Sequence, residues 1–125
     1  MAALNENAIT MLNTVNLDLT TTGLTTLYVV PTGKSCVLIL AAIIAGSATG
    51  ASEISIGRNG STTDIVPANT LSTTSVAKSV FVLQPIPSLT PQKLAAYPAS
   101  TAIEANVITA AGGGTNTIQV FGYLF

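Results

Sequence analysis

No histidine occurs in this chain, so the commonest general base and the commonest metal ligand are both missing. Tryptophan is absent too, which removes the usual stacking platform of a sugar site. Cys36 is the only cysteine. It can form no intrachain disulfide and no Cys/His metal spacing, and within an apolar run it reads as a small hydrophobe. Charge is scarce as well: 7% of residues are charged, against roughly a quarter in an average domain. The four basic residues, Lys34, Arg58, Lys78 and Lys93, are scattered and the net charge is −1. That argues against nucleic acid as a partner, because phosphate binding needs a basic patch. The longest apolar run, Cys36 to Gly46, is about half the ~20 residues that a membrane-spanning helix requires. No membrane partner is expected. The start, MAALNENAITML, lacks the basic opening and apolar stretch of a signal peptide, so folding in a cytoplasm is expected.

What remains is hydrophobic (48%) or small and neutral, mostly Thr, Ser, Ala, Gly and Asn. At 125 residues the chain is one domain with a real core. A nearly uncharged surface has little electrostatic repulsion to keep copies apart. One reading is a soluble protein with a Thr-rich exterior. The reading favoured here is that much of the surface is buried against other chains.

Residues 1–14 read as an N-terminal arm without a clean period, followed by a sandwich domain over 15–125. Val15, Leu17 and Leu19 alternate with Asn16, Asp18 and Thr20, the period of a half-buried strand. Strands follow at 24–30 and 35–44. Pro31 and Gly33 suggest a tight turn between them, with Pro31 at its first central position. The second of these strands is apolar on both faces, so it needs cover on both sides. It is expected to be central, with one face in the core and the other near a subunit contact. EISIGR (53–58) alternates again, and Asn59-Gly60 predicts a type I′ hairpin turn. A return strand is expected at 62–66, stopped by Pro67. SVFVLQ (79–84), AIEANVITA (102–110) and TIQVFGYLF (117–125) read as further strands. Between 85 and 98 four prolines punctuate a long connection, with room for no more than a helical turn near 92–96. The fold expected is all-β: a single-domain antiparallel β-sandwich of jelly-roll or Greek-key type, about eight strands, with an N-terminal arm.

Chemistry is hard to find. The five acids, Glu6, Asp18, Glu53, Asp64 and Glu104, are far apart in sequence. Asp18 and Glu53 sit on polar sides of strands, and Glu104 is open to either a solvated face or a lysine across an interface. GGGTNT (112–117) lies between two strands rather than opening a helix, and PTGKS (31–35) lacks the upstream glycine of a phosphate loop. No base is present to activate a Ser or Thr. No catalytic, cofactor or metal residue is assigned, no cofactor is expected, and the protein is not expected to be an enzyme. The one candidate site is a partner-binding surface on the arm, formed by Asn5, Ala8, Ile9, Met11 and Leu12, whose apolar members suggest docking.

The order of an arm, TTLYVVPTGKS, an apolar strand, an NG hairpin and a terminal IQVFGYLF resembles small β-sandwich virion proteins of tailed bacteriophages. In that group a strand ending in LY-V-P-GK, as in Leu27–Lys34, leads into an apolar strand, and a GYL ending is common. Among them the short length and low charge look most like a capsid decoration (cement) protein. The resemblance implies a homotrimer on the capsid exterior, partnered by the major capsid protein and by itself, with no catalytic residues. Tail, baseplate or head-fibre components share the same features. A lectin-like binding module is the more distant alternative.

Overall fold

The computed structural model describes residues 8–71, 77–87 and 93–125. Among them there is no helix. The strands are β1 (Ile9–Leu17), β2 (Gly23–Val29), β3 (Cys36–Ala45), β4 (Glu53–Arg58), β5 (Val66–Thr70), β6 (Val80–Leu83), β7 (Ala96–Tyr97), β8 (Ala102–Thr109) and β9 (Asn116–Leu124). The first sheet runs β1-β9-β3-β6, with β7 also on β3, and the second runs β2-β8-β4-β5. Every pairing is antiparallel. The pairs are nested: β4 with β5, β3 with β6, β2 with β8, β1 with β9. A chain folded as one long hairpin and then rolled up gives that order, which is the jelly-roll form of the antiparallel sandwich.

The alternating residues read from the sequence make the core. Leu17, Cys36, Leu38, Ile43, Ile118 and Leu124 point inward from the first sheet, and Leu27, Ile54, Ile56 and Ile103 from the second; all are fully or almost fully buried. Burying each Leu or Ile side chain stabilises by about 1.5–3 kcal/mol.

Several expectations are corrected. The tight turn at 31–34 is present, but β2 and β3 do not form a hairpin. β2 pairs with β8 in one sheet and β3 with β9 and β6 in the other. Both edges of β3 are taken by strands from later in the chain, β9 on one side and β6 and β7 on the other, which leaves no edge for β2. The turn is closed by Lys34 N–H to Pro31 O (3.2 Å), so Thr32 and Gly33 are central and Pro31 precedes them. Gly33 takes the positive φ (+77°) that this geometry requires. The boundary drawn at residue 14 falls inside β1, which starts at Ile9 because β9 pairs with it from Tyr123 down to Asn116. β5 begins at Val66 and contains Pro67; it is an edge strand, where a missing N–H is tolerated. The connection after Pro87 includes the two-residue β7, laid against Cys36 and Val37. The helical turn near 92–96 does not form at 93–96, and Gln92 lies outside the described residues.

The ladders carry five register shifts, and three of them place the remaining side chains. They fall at Leu12 in β1, Leu27 in β2 and Ile39 in β3, where the partner strand skips one residue. Each reverses which of the following residues face the core.

Candidate functional site

In an antiparallel ladder, directly paired residues share a face. Reading across the first sheet, Met11 pairs with Phe121, which pairs with Leu40 on its other side. Ile9 likewise lines up with Tyr123 and Val37. Toward the opposite end, Ile44 pairs with Val80 and Ala42 with Val82. All of these point away from the core. The outer face of the first sheet is therefore an apolar array from β1 to β6. Its paired residues carry no charged side chain among those described, and their polar groups are the neutral Thr14, Asn16, Thr117, Gln119 and the Tyr123 hydroxyl. The middle of the face is half-buried by its own neighbours, while the rims stand clear: Ile9 is 66% exposed and Val82 57%.

At the β3 bulge the face opens into a groove. β6 covers one edge of β3 from Ala41 to Ile44, and β7 covers it at Cys36 and Val37. Leu38 to Leu40 are left without a ladder partner on that side. Ile39, Gln84, Pro85, Pro87, Lys93 and Leu94 line a groove of about 390 Å³ there.

The outer face of the second sheet differs. Thr26, Glu104 and Gly57 lie in one row, and Leu24, Asn106 and Ser55 in the next. The loop after Asn59-Gly60 folds over this face: Ser55 Oγ donates to the Thr62 carbonyl, and Gly57 lies directly beneath the Ser61 backbone with no room for a Cβ. Asn59 and Gly60 both have positive φ (48° and 89°) and Ser61 N–H closes the turn on Arg58 O at 2.8 Å, the expected I′ geometry. Only one of the two outer faces is an open hydrophobic surface.

The ionisable groups hold loops in place. Glu104 Oε1 accepts from Gly60 N–H at 2.8 Å. Asp64 accepts from the Arg58 backbone N–H and from its Nε (3.0 and 2.8 Å), and the Arg58 guanidinium lies 5.1 Å from the centre of the Tyr97 ring. Asp18 accepts from the Thr20 hydroxyl and backbone N–H, and these bonds lower its pKa. Burial pushes the Cys36 thiol from 9.0 up to about 11, so it is an inert core group rather than a nucleophile. Among the described residues no three His, Cys, Asp or Glu side chains gather as a metal site.

Of the residues singled out on the arm, Asn5 lies outside the described residues. Ala8 is exposed just ahead of β1. Ile9 and Met11 are exposed on the apolar face. Leu12 is not with them: next to outward Met11 it points inward and packs against the core. Sequence reasoning singled out the β1 end of the face and missed its β6 end, Val80 and Val82. The signal for those two was the unbroken apolar run SVFVL, which, like β3, has no polar side.

No family model, curated protein or solved structure matches this chain.

Proposed function

We propose that this protein is a structural virion component, a homotrimeric capsid decoration protein that binds the major capsid protein on the outside of the shell and stabilises it. The observation that carries the proposal is the uncharged apolar outer face of the first sheet. A monomer working alone in water has no use for such a face, since large exposed apolar patches are rare outside interaction surfaces. The resemblance of residues 25–35 and 118–125 to phage virion proteins supplies the virion context. The ionisable side chains, spent on loop architecture, give no support to an enzyme.

The mechanism is avidity. Each subunit makes a modest contact with the shell, and linking copies turns the second and third contacts into intramolecular ones. A trimer spanning neighbouring capsomers resists their separation. The start of β1, at Ala8 and Ile9, together with the residues before it, carries the shell contact.

The test is co-sedimentation with emptied shells of the parent phage. Removing residues 1–14 would take away most of β1, so the informative variant lacks residues 1–7 and carries Ala8→Asp. It is expected to keep its fold and oligomeric state and to lose shell binding. Undiminished binding would overturn the proposal. So would recovery of the native protein in purified tails rather than filled heads, which would assign it to the tail or baseplate.

A further inference from the structure

We infer that the outer face of the first sheet, centred on Leu40, Phe121 and Val82, is buried against a second copy of this chain. The inference deepens the assembly reading, which requires association but not association through this face. Three observations identify the occupant.

The first is charge. The paired residues of the face carry none among those described, Lys93 stands at the groove beside it, and copies brought together through the paired residues meet no like charges there. With a net charge of −1 the chains repel one another weakly at any distance.

The second is area. Three strands about 4.8 Å apart, paired over about eight residues, with the shorter β6 beside them, make a face on the order of 450 Å² in projection. Standing side chains such as Phe121 and Tyr123 raise its accessible area toward the roughly 800 Å² per partner of a standard stable interface. The size suits a folded partner rather than a small ligand.

The third is sidedness. The outward residues Val37, Leu40, Ile44, Val80 and Val82 are of the same kind as the inward Leu38, Ile43, Ile118 and Val120, so the outer face is built as a second core face. The described residues of the second sheet form no such face, so copies gather on one side of the subunit and the assembly closes instead of running on into fibres.

The experiment is sedimentation velocity with native mass spectrometry, on the full chain and on Leu40→Asp, Val82→Asp and Leu24→Asp. Leu24 is apolar and about as exposed as Val82 but lies on the second sheet. The unaltered protein and Leu24→Asp are expected to sediment as the same oligomer. Leu40→Asp and Val82→Asp are expected to associate at least about 100-fold more weakly, because a carboxylate cannot be buried unpaired. If those variants fail to fold, hydroxyl-radical footprinting of the unaltered protein decides the question. Phe121 and Tyr123 are expected to be protected in concentrated solution and to become reactive on dilution. A monomer at high concentration, unchanged association of both Asp variants, or equal reactivity at both concentrations would overturn the inference. An intact oligomer that ignores capsid shells would refute the decoration reading and leave this interface standing. A monomer that binds shells would do the reverse.

Discussion

The side-chain amide of Asn13 donates to the carbonyl of Leu27 at 2.7 Å, joining the two sheets along one edge of the sandwich. Both residues adjoin or occupy bulges. β9 skips Leu12, and β8 skips Leu27. The second skip takes Leu27 out of its ladder register, in a residue only 1% exposed. A buried carbonyl without a partner is costly, and Asn13, presented by the kink in β1, supplies the donor. Asn13→Ala is therefore expected to destabilise the fold by about 1–3 kcal/mol. A urea midpoint equal to that of the parent would show that the contact contributes nothing.

The β3 bulge makes a sharper prediction. Strict alternation places Leu38 and Leu40 on one face. The bulge at Ile39 separates them: Leu38 pairs with Gly122 on the core side, and Leu40 with Phe121 on the outside. Leu38→Ala should cost about 2–5 kcal/mol as a core cavity. In dilute solution, where subunits are apart, Leu40→Ala should cost less than about 1 kcal/mol, the usual range for an exposed position. Thermal unfolding of both variants checks this, and equal losses would mean the two residues share an environment.

That pair also marks how far the sequence could be read. Period-two alternation located β4 at its observed bounds, and the β-rich runs located β2, β3, β6, β8 and β9 to within a residue or two. The Asn59-Gly60 turn was legible because few other residues accept positive φ. Sheet membership was not legible. Nothing local in PTGKS says that β2 and β3 part company, since that depends on β8 and β9 arriving from the far end of the chain. Bulges are silent for a similar reason: an extra residue in an unbroken apolar run leaves no mark, and every later residue changes face. The arm illustrates the consequence, with Ile9 and Met11 on the outer face and Val15 and Leu17, of the same parity, turned into the core. Pro67 misled for a different reason, as a proline that would interrupt a central strand is harmless on the edge.

Asn116 ties three loops together at one end of the sandwich. It is 1% exposed. Its Nδ2 donates to Leu17 O (3.3 Å) and Gly113 O (2.9 Å), while its Oδ1 accepts from Gly46 N–H (3.2 Å). Asn116→Asp keeps the shape but turns a donor into an acceptor facing two carbonyls. Burial and those carbonyls raise the carboxyl's pKa in the folded state. Stability is then retained at pH below about 4 and lost as pH rises toward 7, where the variant should be at least about 3 kcal/mol less stable than the parent. Urea titrations at the two pH values read the difference, and a loss independent of pH would contradict the assigned hydrogen bonds.

Gly57 offers a test of the loop that covers the second sheet. A Cβ there would collide with the Ser61 backbone, and φ is not the constraint. Gly57→Ala should displace the 59–64 loop, breaking the Ser55–Thr62 hydrogen bond and loosening Asp64 from Arg58. A loss of about 2–4 kcal/mol is expected, the range for overpacking combined with a lost buried hydrogen bond. Hydrogen exchange should show faster exchange at Arg58 and Ser61, whose amides donate to Asp64 and Arg58. Unchanged exchange would mean that the loop accommodates the methyl group.

Alkaline stability follows from the groups around β7. Cys36 is fully buried and its thiol is raised to about 11; Tyr28 and Tyr97 are raised above 10.0, chiefly by burial. In all three the folded state favours the protonated, neutral form. Their contribution is therefore complete below the unfolded-state values and is lost as pH rises through the folded-state ones. For Cys36 the window runs from 9.0 to about 11, worth at most about 2.7 kcal/mol at 1.36 kcal/mol per unit. The parent protein should hold its urea midpoint from pH 7 to 9 and lose stability steeply above. Cys36→Ala should start lower at pH 7, by about 1 kcal/mol for the small cavity, and fall less steeply between pH 9 and 11, keeping only the tyrosine part. Parallel curves for the two proteins would mean that Cys36 ionises as readily in the folded chain as in the unfolded one.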